Sequence, residues 1–280
     1  MANVDGHYLT GLSSWRRLAA ATWRLPDDAS MYAQIDIDLS QARTFLPHAS
    51  SHYGTRLTVT HLVIKALGDT LRAHPECNLL VRRGRLYQRD HVCMSVAVAI
   101  PPENADQEMK ADLTEVVLRD VDQMDLGAIA TAMQRGARAV RANEDKDFAK
   151  AKGIMNALPP RGLNWLLRFL GWLQFDWNIS LGALGLPRDP FGGAMITNVG
   201  SFGITVAYPP LVPFMRIPII LCVGEAQDKA VVVDGQIVVR PILPIFATID
   251  HRVIDGYQGG RMIKTFKGIL ENPALLLPQK

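Results

Sequence analysis

The chain has 280 residues, 48% of them hydrophobic and 20% charged, with a formal net charge of +3. That composition excludes fibrous and disordered classes and leaves ample length for a large core. The positive charge is dispersed, and the densest basic stretch, 135–153, is laced with acids like a solvated helix face, so nucleic acid is not expected as a partner. From the N-terminus, residues 31–40 (MYAQIDIDLS) predict a strand, with Ser40 placed to cap a following helix. Residues 58–75 predict the clearest helix. Val59, Leu62, Val63, Ala66, Leu67 and Leu71 recur at three- and four-residue steps, and Pro75 stops it. His61 reads as a polar-face residue of that helix. Residues 91–102 (HVCMSVAVAIPP) predict a strand buried on both faces and closed by two prolines.

A more polar region predicts a strand over 114–121 and a helix over 125–142 capped by Asp125. Apolar runs follow at 192–203 and 217–226. In 229–249 the dipeptide Asp234-Gly235 lies between β-branched runs and suits a type I′ turn, which predicts a hairpin. Residues 257–273 predict a last helix with Met262, Ile263, Phe266, Ile269 and Leu270 on one side and Pro273 at its end. No Gly- or Ser-rich linker and no internal repeat divides the chain. The expectation is one α/β domain over 1–280 with a mixed sheet, because the hairpin requires an antiparallel pair.

Cys77, Cys93 and Cys222 are spread through apolar contexts with no zinc spacing, and read as buried thiols of a reducing compartment. No metal is expected. The N-terminus carries no signal-peptide pattern, and no uninterrupted apolar stretch reaches the roughly 20 residues of a membrane span. A cytoplasmic location is the default expectation.

Chemistry concentrates at 248–260 (TIDHRVIDGYQGG), where His251 precedes Asp255 by four residues and Gly256 follows. Alone, His-x-x-x-Asp-Gly is a weak signal. Its surroundings, DHRVIDGYQGGRMIKTFKGILENPALLL, closely resemble the C-terminal signature of the catalytic domain of dihydrolipoamide acyltransferases. These are the acyl-transferring cores of 2-oxoacid dehydrogenase complexes, and chloramphenicol acetyltransferase shares the motif. Further stretches match in order: LSSWRRLAA resembles the family's opening helix. Lys65-Ala66 and His74-Pro75 with Asn78 resemble its lysine-alanine pair and His-Pro-x-x-Asn turn. VCMSVAVAIP is similar to its central strand, and GGAMITNVGSFGI to its Gly-Gly…Ser-Asn-Leu-Gly…Phe-Gly segment.

The resemblance implies a mixed sheet packed with helices in a two-layer sandwich. It also implies acyl transfer between thiol carriers, with acyl-coenzyme A as a substrate. A free thiol, with a pKa near ~8.5, is little ionised at neutral pH, and a neutral imidazole near ~6.5 is a natural acceptor for its proton. His251 takes that role by resemblance. A hydroxyl aimed at the tetrahedral oxyanion contributes on the order of 3 kcal/mol. The family's serine aligns with Thr197, a threonine here, with Asn198 beside it as a supporting residue. The reading that Thr197 is only a β-branched strand residue stays open. The resemblance implies that Asp255 organises the turn by pairing with Arg16, with Arg17 as the adjacent alternative, while the reading that both arginines are simply solvent-exposed stays open. Gly256 is expected to take a backbone conformation closed to other residues, or to allow close packing under the histidine. The family assembles as trimers, some building cages, with each site between two subunits, so His251 and Thr197 are expected to act in trans. NPALLLPQK resembles the apolar tail used between trimers.

Three departures stand out. The stretch carries no lipoyl or subunit-binding domain, so a lipoyl-bearing protein becomes a candidate partner, with a small-molecule thiol and acceptors bearing hydroxyl or amine groups left open. After VAVAIP the family's channel-lining turn is replaced by PENADQEMKADLTEVVL, so no coenzyme-binding residue is carried over from 101–118. An apolar insertion at about 158–191 holds Trp165, Trp172 and Trp177. Trp165, Phe169 and Trp172 share one helical face and Leu166, Leu167, Leu170 and Leu173 fill much of the rest, a helix that calls for burial nearly all round. A subunit contact or core cover, an interfacial membrane contact through 163–186, and a lid over a long acyl chain are the readings. The alternatives to a thiol acyltransferase are a non-catalytic trimeric or cage-forming assembly protein and a membrane-peripheral acyltransferase acting on a lipophilic substrate.

Overall fold

The computed structural model describes residues 29–100, 112–141, 159–182 and 186–277. In chain order these form β1 (Ser30–Asp38), α1 (Ser40–Tyr53), α2 (Val59–Ala73), β2 (Leu79–Arg82), β3 (Arg85–Gln88), β4 (Met94–Ile100) and β5 (Asp112–Leu118). Then follow α3 (Leu126–Arg141), α4 (Pro160–Gly171), β6 (Ala194–Asn198), β7 (Ile219–Val223), β8 (Gln227–Val233), β9 (Gln236–Asp250) and α5 (Gly256–Glu271).

Seven strands make one sheet in the order β1-β9-β7-β6-β4-β5, with β8 paired to β9. The 15-residue β9 pairs antiparallel with β8 over its first half and with β1 and β7 over its second. β4, β6 and β7 run parallel and β4–β5 antiparallel, so the sheet is mixed as expected. Asp234 and Gly235 both take positive φ, 50° and 78°, which the type I′ turn requires.

Side chains alternate along each strand and so define two faces. Met94, Val96, Ala194, Ile196, Ile219, Leu221, Ile245 and Ile249 join the main core with Leu62, Leu67 and Leu71 of α2, Leu126 and Ile129 of α3, and Met262, Phe266 and Leu270 of α5. Their neighbours Met195 and Ile220 face the other way, into a smaller cluster with Met215 and Ile217. Helices thus cover one face and the 203–217 loop part of the other, and Thr197 points to the loop side.

Four local expectations are corrected. Ser40 is not the cap of α1: it is the first helical residue, and the Asp38 carboxylate accepts from its backbone N–H (2.8 Å) and hydroxyl (2.5 Å). His61 is not a polar-face residue. It is buried, and its Nδ1 accepts from the N–H of Thr58 (3.0 Å), closing a capping box at the start of α2. Burial holds its pKa below the usual histidine value. β4 is buried on both faces only over Met94–Val96; Ala99 is exposed. The fourth is the segment of α4 and the turn after it, where Trp165, Phe169 and Trp172 do share a face but that face is exposed in the single chain, which sets aside the core cover and leaves the subunit-contact, membrane and lid readings.

Candidate active site

His251 leaves the end of β9 in a turn fixed almost wholly by backbone. The N–H of Asp250 donates to Pro218 O (2.8 Å), that of His251 to Ala29 O (2.8 Å), and those of Val253 and Ile254 to Asp250 O (2.9 and 3.1 Å). Val253 and Ile254 are buried and anchor the turn from beneath. Arg252 reaches back to the Asp250 carboxylate through Nε and Nη2 (2.9 and 2.6 Å). The ring of His251 is exposed, and its Nδ1 lies 2.9 Å from the carbonyl oxygen of Ile254. A carbonyl oxygen only accepts, so Nδ1 carries a hydrogen, and in the neutral ring the lone pair is then on Nε2. A cavity of about 170 Å³ adjoins the turn, with Val81, Leu211, Val212, Arg216, Asp250 and Arg252 in its wall.

Asp255 caps α5. Its carboxylate accepts from the N–H groups of Tyr257 (2.8 Å) and Gln258 (3.1 Å), and the Gln258 side chain accepts in return from the Asp255 N–H (2.9 Å). Arg16 and Arg17 lie outside the described residues. Asp255→Ala should lower the unfolding free energy by about 1 kcal/mol, whereas Asp255→Asn, an equal cap, should stay near native in urea titrations. A fall of Asp255→Asn to the level of the alanine variant would instead assign the carboxylate to a cation. Neither reason expected for Gly256 holds among the described residues. Its φ is not left-handed, and an added Cβ would meet no atom within 4 Å.

Thr197 is half-buried near the C-terminal end of β6. Asn198 ties that end down: its Nδ2 donates to Thr60 Oγ1 (2.9 Å) at the start of α2, and its Oδ1 accepts from the Ser201 N–H (3.4 Å). Gly200 lets the loop press on its neighbour, since a Cβ there would collide with the Gly224 carbonyl. One chain does not bring Thr197 to His251. Register places Thr197 beside Cys222 and Cys222 beside Phe246, and His251 lies five residues beyond (246 to 251), toward the opposite end of the sheet. At strand spacings this is on the order of 15–20 Å.

Cys77, Cys93 and Cys222 are free thiols. All three are buried, and burial pushes the Cys77 and Cys222 thiols up to about 11 and raises that of Cys93. Lys65, His74 and Asn78 hold the framework: Lys65 donates to Asp69 and the Asp122 carbonyl (2.9 and 2.8 Å), His74 Nε2 meets Thr265 Oγ1 (2.8 Å), and Asn78 donates to the His91 carbonyl (3.1 Å). Sequence reasoning missed the Ile254 carbonyl that fixes the ring and the Arg252–Asp250 pair. Backbone partners leave no sequence signal, but the flanking Asp-His-Arg order could have suggested the pair.

The chain matches the family model for the 2-oxoacid dehydrogenases acyltransferase catalytic domain over residues 16–149 and 189–278. It is 27% identical over 272 residues to the dihydrolipoyllysine-residue acetyltransferase component of the acetoin cleaving system of Bacillus subtilis, covering 95% of this chain and 56% of that protein. The chain spans about half the length of the curated relatives it matches. Among solved structures, the cubic core of the pyruvate dehydrogenase multienzyme complex superposes with a TM-score of 0.65 at 20% identity, covering 99% of both chains. The dihydrolipoamide acetyltransferase of Azotobacter vinelandii, whose catalytic mechanism has been investigated through a serine, a histidine and an asparagine, gives 0.64 at 22% identity, covering 90% of this chain and 85% of that one.

Proposed function

Because the chain belongs to the 2-oxoacid dehydrogenase acyltransferase catalytic-domain family, we propose that it moves an acyl group between acyl-coenzyme A and a thiol acceptor, with dihydrolipoamide borne by another protein as the first candidate. The observation that carries this reading is the His251 ring, held through Nδ1 by Ile254 O and with Nε2 unpartnered among the described residues. Nε2 takes the proton of the attacking thiol. The thiolate adds to the thioester carbonyl carbon, and the tetrahedral oxyanion accepts a hydrogen bond from the Thr197 hydroxyl. Collapse breaks the original carbon–sulfur bond, and the departing thiolate recovers the proton from Nε2. The raised, buried cysteines leave both sulfurs to the substrates.

The separation of Thr197 from His251 within one chain supports a site built between two subunits of a homotrimer, with the chain acting as one catalytic domain. The β8–β9 hairpin exposes Val232, Ile237 and Val239, an apolar surface suited to self-association. Leu275, exposed beyond α5, suits further contact between trimers in a cage. The apolar wall of Val81, Leu211 and Val212 beside the histidine turn offers room for the acyl group. The test is release of free coenzyme A from a panel of acyl-coenzyme A species with dihydrolipoamide as acceptor. Turnover with at least one acyl group is expected. Absence of turnover across the panel, by an oligomer of the expected mass, would leave the non-catalytic assembly reading.

A further inference from the structure

The family match passes over residues 150–188, between its two matched blocks. That interval holds α4 and the π-helical turn Trp172–Asp176 that continues it. Trp165, Phe169, Trp172 and Trp177 are 67%, 41%, 45% and 50% exposed. Their rings form one continuous ladder: Trp165 stacks on Phe169 at 5.4 Å, Phe169 on Trp172 at 6.1 Å, and Trp172 meets Trp177 edge-on at 5.6 Å. The ladder does not hang loose. Phe175 and Asp176 are buried beneath it, Arg216 pairs with the Asp176 carboxylate at 2.9 Å, and Arg82 donates to the Asp176 carbonyl at 3.2 Å. Leu166, Leu167, Leu170 and Leu173 are half-buried on the inward side.

The charge on this face has one sign. Arg161 and Arg168, the charged residues of α4, are exposed and share the stripe with Trp165, Phe169 and Trp172. Arg83, from the β2–β3 turn, lays its guanidinium 3.9 Å from the Trp177 ring. The acid of the segment, Asp176, is already neutralised by Arg216. A purely apolar partner would strand these arginines without counter-charge. A surface of anionic phosphates over hydrocarbon satisfies both halves of the stripe: guanidinium groups meet phosphates, and the rings lie at the boundary where aromatic side chains settle. At about 1.5 Å per residue α4 is roughly 18 Å long, suited to lying in such a surface. None of the helices searched among the described residues is long and apolar enough to cross one.

The geometry points to α4 and the following turn as a peripheral docking face for anionic lipid membrane, separate from acyl transfer. The test is flotation of the full-length protein with vesicles of phosphatidylcholine alone and of phosphatidylcholine mixed with phosphatidylglycerol. Binding is expected to the mixed vesicles, weaker binding to the neutral ones, and loss at high salt. Trp165→Ser with Trp172→Ser should lower the bound fraction about tenfold, and Arg161→Gln with Arg168→Gln should weaken anionic binding by about fivefold per arginine. Coenzyme A release and oligomeric mass should stay native in both. Native protein that fails to float with the mixed vesicles overturns the proposal, whatever the variants do. So do ladder variants that bind as native, or that shed subunits, which would mark a contact between copies. A ladder variant that alters acyl-chain-length preference while the native protein ignores vesicles would make the segment a substrate lid.

Discussion

His251→Ala is expected to lower coenzyme A release by about 10²–10⁴-fold, the usual contribution of a positioned general base. The loss should come without collapse of the fold. The ring is exposed, and the turn beneath it is held by backbone bonds to Ala29, Pro218 and Asp250 and by buried Val253 and Ile254, none of which the substitution removes. Among the described residues the bond lost is the ring's own, from Nδ1 to Ile254 O, on the order of 1 kcal/mol. His251→Asn separates anchor from base. Its side-chain amide can still donate to the Ile254 carbonyl but offers no basic nitrogen, so it should be as inactive as alanine while matching native stability. Activity within tenfold of native in either variant would remove His251 from the chemistry. Oligomeric mass, measured alongside, keeps a loss of assembly from being mistaken for a loss of base.

The fold was legible where burial alone dictates pattern. The three- and four-residue steps of Val59–Leu71 gave α2, and the β-branched runs around Asp234-Gly235 gave the β8–β9 hairpin with both turn residues at positive φ. Of α1 only the start, near Ser40, was legible: Pro47 sits inside it, and only Ala42 and Ala49 are buried, so no apolar period marks its extent. His61 was misread because its ring turns back to cap its own helix instead of following the face its position suggests. At the site, the residue types were visible and their relations were not. The tautomer of His251 depends on a backbone carbonyl three residues on, and Asp255 acts on the first turn of α5. A glycine after Asp255 suggests a special backbone position or close packing under the histidine, but as the first residue of that helix Gly256 needs no unusual φ and meets no close neighbour among the described residues. The insertion was recognised as apolar, but a helical wheel does not say which side the rest of the protein covers. The structure buries Phe175 and leaves Trp165, Phe169 and Trp172 outside.

Thr197→Val should lower turnover by about 10²–10³-fold, because valine keeps the β-branched shape of the strand residue and removes only the donor to the oxyanion. Thr197→Ser should retain most of the activity. A decisive effect follows from mixing two inactive proteins. Within one chain, register holds Thr197 and His251 toward opposite ends of the sheet, so the proposed site would draw one from each of two neighbours. If Thr197→Val and His251→Asn chains are unfolded together and reassembled at equal ratio, a site is intact when its histidine comes from the first variant and its hydroxyl from the second. Random closed trimers place those two in the right order at about a quarter of interfaces, so activity should return to about a quarter of native from parents that are nearly inert. The variants remain inert after mixing if both groups belong to the same chain, whereas a parent Thr197→Val protein that is itself active shows that another group is the donor. Thr197→Val tested alone decides between those two outcomes: a small effect condemns the hydroxyl, and a large effect without recovery condemns the shared site.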